Sequence, residues 1–215
     1  MNTIALSKGR ILKQTLPLLE SIGVKLLDDP FTSRQLIFKT NQDDLQCVIL
    51  RATDVPTYVQ FGAADLGIVG KDGLMEHGGE GLCELLDLKI AKCQLMTAVP
   101  QASLDSYRGQ KHIRVASKYV KLAEQYYQSQ GVQAQIIKLN GALELAPLAG
   151  LADEIVDLVE TGNTLKANGL VAKDVIAKIS CRLIANAASL RVKHSAIIRL
   201  VEQLSDAVKA DSAGD

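Results

Sequence analysis

The chain has 215 residues, 47% hydrophobic and 22% charged, enough to build a large core as one domain or two small ones. Its 24 Lys and Arg balance its 24 Asp and Glu, so no basic footprint marks nucleic acid or an anionic membrane as the main partner. Tryptophan is absent and aromatics are 4%, which argues against stacking platforms for single strands; a small anionic ligand needs only a local cluster and stays open.

The first segment, Ile4-Ala5-Leu6-Ser7-Lys8-Gly9-Arg10, reads as a short apolar strand broken at Ser7-Lys8-Gly9. The apolar stripe Ile11, Leu12, Leu16, Leu18, Leu19 and Ile22 predicts a helix after it, ended by Gly23. Lys8 and Arg10 then stand at the carboxyl end of a strand, where open α/β sheets bind ligands; a solvated basic turn reads the same way. Two strand-like runs follow, 35–39 and 45–50, with Arg34 before the first and Arg51 after the second. Thr53 or Asp54 caps a helix whose first turn holds Pro56. Ala64 to Gly70 is a buried strand, and Lys71-Asp72-Gly73-Leu74 starts a short helix. This alternation predicts α/β with a largely parallel sheet.

Strands are expected at 82–88 and 93–99, with a crossover between domains near 88–95. Residues 100–103 and 105–109 read as loops, 113–116 as a strand, 119–130 as an amphipathic helix and 135–139 as a strand. Arg182 to Asn186 is a late strand that crosses back, and 195–209 is a closing helix before a polar tail. The expected division is lobe I, 1–90 plus 186–215, and lobe II, 91–185. Ligand would bind in the cleft between the lobes.

One stretch organises the rest. Ile155, Val156, Leu158 and Val159 form a strand, Thr161-Gly162-Asn163-Thr164 a tight turn, and a short helix follows. Gly162 is free to take a positive φ, and Thr164 or Asn163 suits an N-cap. Such a turn aims backbone amides and two hydroxyls at one spot, which holds phosphate with little side-chain charge. Glu154, Asp157 and Glu160 on or beside the strand would repel a bare phosphate. They suit a ligand that also carries hydroxyls or a bridging metal, such as a sugar phosphate. An ordinary strand–turn–helix with solvated acids and a capping threonine gives the same pattern.

Cys47, Cys83, Cys93 and Cys181 form no C-x-x-C pair and sit in apolar runs, as buried thiols of a reducing compartment do. His77, His112 and His194 have no metal spacing. The N-terminus lacks a basic head followed by an apolar core, and no segment suits a bilayer, so a cytoplasmic protein is expected.

Four segments carry a resemblance: Ala5-Leu6-Ser7-Lys8-Gly9-Arg10, Leu50-Arg51-Ala52-Thr53-Asp54-Val55-Pro56, 62–68 (GAADLGI) and 153–170 (DEIVDLVETGNTLKANGL). In this order they resemble the ATP phosphoribosyltransferase family, along most of the chain. The resemblance implies two α/β lobes similar to type II periplasmic binding proteins. It implies a magnesium-dependent reaction of ATP with 5-phosphoribosyl 1-diphosphate, giving N1-(5-phosphoribosyl)-ATP and pyrophosphate, the first step of histidine biosynthesis. Thr161, Gly162, Asn163 and Thr164 would then cradle the 5-phosphate. Glu154 and Asp157 would hold the ribose hydroxyls, directly or through Mg2+ carried by the substrate. Arg10 and Arg34 would stabilise the leaving pyrophosphate and the triphosphate, with Lys8 and Arg51 supporting. The length resembles the short form, a catalytic subunit controlled by a histidyl-tRNA synthetase-like regulatory subunit in a hetero-octamer, and a homodimer when alone. No nucleic acid or membrane partner is expected. Two other readings share the pattern: a solute-binding or effector-sensing module of the same fold, and a phosphoribosyltransferase for another base.

Overall fold

The computed structural model describes residues 1–104 and 112–212. In chain order the elements are β1 (Asn2–Ser7), α1 (Arg10–Ser21), β2 (Ile37–Lys39), β3 (Leu45–Leu50), α2 (Val55–Gln60), β4 (Leu66–Gly70), α3 (Lys71–His77), β5 (Leu82–Asp87) and β6 (Cys93–Pro100). A 3-10 turn (Gln101–Ser103) precedes β7 (His112–Ser117), α4 (Val120–Ser129), β8 (Gln133–Lys138), α5 (Leu145–Leu148), β9 (Glu154–Val159), α6 (Asn163–Ala167) and β10 (Leu170–Ile179). The chain closes with β11 (Cys181–Asn186), α7 (Ala187–Val192) and α8 (His194–Ser212). The loop expected at 105–109 and the end of the tail lie outside the described residues.

Two compact units result, Met1–Ala91 with Ser180–Asp215, and Lys92–Ile179. The first is built on a six-stranded sheet, β2-β3-β1-β4-β11-β5. β1 and β4 are buried throughout their contact, Ile4-Ala5-Leu6 against Leu66-Gly67-Ile68, as strands covered on both faces must be. Ile4, Leu6, Ile68 and Leu183 pack on one face with Leu12 and Leu19 of α1 and Ile197, Leu204 and Val208 of α8. Ala5, Val69 and Ile184 pack on the other with Val55 and Val59 of α2 and Leu74 of α3. Gly67 makes that second layer possible: a Cβ there would lie 2.7 Å from a Val59 methyl and 2.9 Å from one of Val55.

The second unit has a five-stranded sheet, β10-β6-β9-β7-β8. Ala98, Ala116, Ile155, Leu165 and Leu170 share one core with Leu143 and Ala146. α4 covers the opposite face, burying Leu122, Ala123 and Tyr127. The order β8-β7-β9-β6-β10 repeats β3-β1-β4-β11-β5 of the first unit. In each, the first three strands are parallel and the last two antiparallel.

The sheets differ from the expected largely parallel arrangement. Among the described residues four strand pairs are parallel (β1–β3, β1–β4, β7–β8, β7–β9) and five are antiparallel, because the strands after each crossover enter against the direction of their neighbours. β10 is a ten-residue strand that periodicity did not reveal. Register shifts between Ala172 and Val175 and between Val175 and Ala177 break its alternation. The return to the first unit falls at Ser180 rather than at 186. β11 lies between β4 and β5 in the first sheet, so residues 180–185 belong there.

Candidate active site

In the first unit the cations gather at the carboxyl end of β1 and β3. Ser7 pairs with Leu50, and the Lys8 amide donates to the Leu50 carbonyl at 2.8 Å. This sets exposed Lys8 beside exposed Arg51. Exposed Arg34 lies in the irregular stretch just before β2, which runs antiparallel to β3: Ile37 faces Val48, and the Ile49 amide donates to the Leu36 carbonyl at 2.9 Å. Arg10 is the first residue of α1, behind Gly9 at φ +83. The first turn of α1 holds no acid, although carboxylates favour that end of a helix and cations oppose it. Lys8, Arg10 and Lys13 around a helix N-terminus make a strongly electropositive spot suited to an anion. Arg10 is half-buried, and its Nη2 donates to the Ala91 carbonyl at 3.2 Å.

Asp65 lies at the start of β4, away from these cations. Its carboxylate takes the Thr3 amide at 2.9 Å, the Ser189 hydroxyl at 2.7 Å and the Lys193 ammonium at 2.8 Å. Burial raises its pKa, but these donors outweigh it and hold the carboxyl below the usual range. It braces the strand.

In the second unit β9 delivers the turn. Gly162 adopts φ +75 and stands at the N-cap of α6, which begins at Asn163. Neither Asn163 nor Thr164 is the cap, contrary to the sequence expectation. The Thr161 hydroxyl accepts the Asn163 amide at 3.4 Å, and the Lys166 amide closes the first helical bond to Gly162 at 3.0 Å. Among the described residues the amides of Gly162, Thr164 and Leu165 have no acceptor, as expected of a helix start without a side-chain cap. Thr161, Asn163 and Thr164 are exposed. The turn thus offers three amides and two threonine hydroxyls.

Asp157 and Glu154 do not act together. They are three residues apart on one strand, so they point to opposite faces. Asp157 shares the face of Ile155 and Val159, toward the turn, and pairs with Lys118, Nζ to Oδ1 3.9 Å. Glu154 lies five residues before the end of β9, roughly 16 Å away at strand rise. It is 1% exposed on the α4 face. The Thr97 hydroxyl and the Tyr127 phenol surround its carboxyl, yet neither meets hydrogen-bond geometry, and Lys173 Nζ stays 3.9 Å off. Burial pushes Glu154 above the usual carboxylate range, against the pull of Lys173. The same enclosure raises the Tyr127 phenol.

Lys118 is the residue that sequence reasoning missed. It follows Ser117 at the end of β7, Ser117 is in register with Val156, and its ammonium also lies over the Tyr119 ring at 4.8 Å. The signal was available: Ser117-Lys118 ends an apolar run as Ser7-Lys8 does. Among the described residues no three His, Cys, Asp or Glu side chains gather as a metal site. No helix among them is long and apolar enough to cross a membrane.

The paired sheets define a two-unit α/β protein of the periplasmic-binding type. The periplasmic aliphatic sulphonate binding protein SsuA of Escherichia coli superposes with a TM-score of 0.63 at 14% identity, over 99% of this chain and 74% of that one, a likeness of fold alone. Arg51, Lys118, Asp157 and the Thr161–Thr164 turn lie within a more specific match. Residues 51–206 fit the family HisG: ATP phosphoribosyltransferase. The ATP phosphoribosyltransferase of Alcanivorax borkumensis is 57% identical over 212 residues, 99% of this chain and 98% of that protein. A chain of the ATP phosphoribosyl transferase (HisG:HisZ) complex from Thermotoga maritima superposes with a TM-score of 0.83 at 32% identity, covering 98% of this chain and 100% of that one. The chain belongs to the ATP phosphoribosyltransferase family.

Proposed function

We propose that this chain is the short-form catalytic subunit of the family. It transfers the phosphoribosyl group of 5-phosphoribosyl 1-diphosphate to N1 of the adenine of ATP, releasing pyrophosphate, in the first step of histidine biosynthesis. The observation that carries the reading is the Thr161–Thr164 turn, where Gly162 in the left-handed region leaves three amides open beside two hydroxyls. That is a receptor for a phosphate monoester held by dipoles rather than by cations.

Adenine N1 attacks the anomeric carbon as the C–O bond to the diphosphate breaks, and the diphosphate leaves with the bonding pair. No protein nucleophile enters. Catalysis rests on positioning and on charge placed where charge develops. The turn takes the 5-phosphate. Asp157 takes ribose hydroxyl and favours the oxocarbenium character of the sugar, and Lys118 fixes Asp157. Arg10 and Arg34 take the charge gathered on the leaving diphosphate and on the triphosphate, with Lys8 and Arg51 beside them. Glu154 stays outside this chemistry. Magnesium would enter on the phosphates of the substrates, adding positive charge where the diphosphate leaves.

The short form is supported by the Alcanivorax relative, matched over 98% of its length, and by full coverage of the Thermotoga chain. That structure is titled a HisG:HisZ complex. It supports a regulatory partner for this chain; with it we propose that the partner is histidyl-tRNA synthetase-like, that the two form a hetero-octamer, that the chain alone is a homodimer and that it works in the cytoplasm. The test is near-ultraviolet absorbance on the purified chain and its partner with ATP, phosphoribosyl diphosphate, magnesium and pyrophosphatase. A signal that needs both substrates supports the transferase. None with the partner present, or equal turnover of other bases, rejects it.

A further inference from the structure

Arg10 and Gln14 stand one turn apart on α1 and therefore share a face. Both reach the same residue, across its two flanking peptides. The Ala91 amide donates to Gln14 Oε1 at 2.6 Å, and Arg10 Nη2 donates to the Ala91 carbonyl at 3.2 Å. Ala91 is 8% exposed and ends the first run of the first unit. Its φ of +51 lies in the left-handed region that a residue with a Cβ rarely adopts. Lys89, two residues earlier, is also left-handed at φ +56, and its amide is held by Asp87 at 2.9 Å. The Cys181 amide donates to the Ile90 carbonyl at 3.0 Å, fixing the same segment to the returning chain. The left-handed Ala91 thus turns its amide and carbonyl to the two side chains of α1. Without Gln14 its amide loses its acceptor.

We propose that Gln14 is a positioning residue for the transfer reaction: it holds Ala91 in the orientation that aims the Arg10 guanidinium. This rests on the role given to Arg10 above. The bond to Ala91 uses a neutral carbonyl, so Arg10 keeps its charge for a diphosphate while losing rotational freedom. Gln14 touches no substrate and acts only through Ala91 and Arg10.

The test is a double-mutant cycle with Gln14→Met, Arg10→Ala and the pair, assayed as the chain with its regulatory partner, each variant checked for native circular dichroism and thermal midpoint. Gln14→Met keeps the side-chain length and removes the acceptor. The expected result is a fall in kcat of about 10- to 100-fold, the scale of a misplaced catalytic group, with little change in either KM. On the Arg10→Ala background Gln14→Met is expected to cost nothing further. A Gln14→Met enzyme with full kcat beside a crippled Arg10→Ala overturns the Gln14 assignment alone. So does a Gln14→Met loss that multiplies unchanged on Arg10→Ala. An Arg10→Ala enzyme with full kcat overturns both assignments.

Discussion

Ser7 and Ser117 hold the same place in the two sheets. Each is fully buried at the end of the central parallel strand of its unit, and each donates its hydroxyl to the neighbouring parallel strand: Ser7 to Ile68 of β4 at 2.9 Å, Ser117 to Val156 of β9 at 2.7 Å. A lysine follows each, and then a helix. Ser117 also accepts the Tyr119 amide at 2.9 Å, so it closes two bonds where Ser7 closes one. Ser7→Ala is expected to cost about 1 kcal/mol, and Ser117→Ala about twice that, because two hydrogen bonds are lost rather than one. Urea unfolding of the two variants measures the order.

Asp65 ties the start of β1, through Thr3, to α7 and α8. Its native pKa is held below 3.8, so its unfolded form binds more protons near that pH. Its stabilisation is therefore fully present above the unfolded value and is lost as pH falls through the folded one. Asp65→Asn is expected to lose about 2 kcal/mol at neutral pH, the scale of a hydrogen bond to a charged group. The gap from the native chain should close in acid. Thermal midpoints taken from neutral pH down to about pH 3 read both effects.

Glu154 has the opposite sign. Burial raises its pKa above 4.5, so the native state holds the proton more tightly than the unfolded chain. Stability contributed by the protonated carboxyl is complete below the unfolded value and declines as pH rises through the folded one. Glu154→Gln removes the ionisation and is expected to raise the thermal midpoint at pH 7 to 8, leaving kcat nearly unchanged. A large loss of donor affinity in this variant would return Glu154 to the ribose site.

Arg10 is assigned to charge that develops as pyrophosphate leaves. Arg10→Ala should then lower kcat about 100-fold or more while ATP binding falls much less, the pattern of a transition-state interaction. Steady-state kinetics beside direct ATP titration separate the two. Equal losses would give Arg10 an ordinary binding role.

Much of this was legible in the sequence, and the failures have physical causes. Gly162 announced its positive φ because only glycine adopts it freely between an apolar strand and a short helix. The end of β1 was legible because Ser7-Lys8-Gly9 stops an apolar run. β10 was hidden because two register shifts carry Val175 and Ala177 out of alternation. Strand direction was misjudged because an apolar run buries equally well in either sense, so nothing in Cys181 to Asn186 marks β11 as antiparallel. Glu154 and Asp157 were grouped by closeness in sequence, although the two-residue period of a strand already puts residues three apart on opposite faces. Lys118 was passed over because its partner, Asp157, is 39 positions away and only the register of β7 with β9 joins them.

The most direct measurement is calorimetric titration of phosphoribosyl diphosphate into the native chain and into Gly162→Val, both shown to be folded. A Cβ at Gly162 would meet nothing nearer than a Val159 methyl at 3.9 Å. The substitution therefore acts through φ +75, which a β-branched residue resists, and not through a clash. The expected result is loss of donor binding with the fold intact. Unchanged donor affinity in the folded variant would contradict the assignment of the Thr161–Thr164 turn to the phosphate.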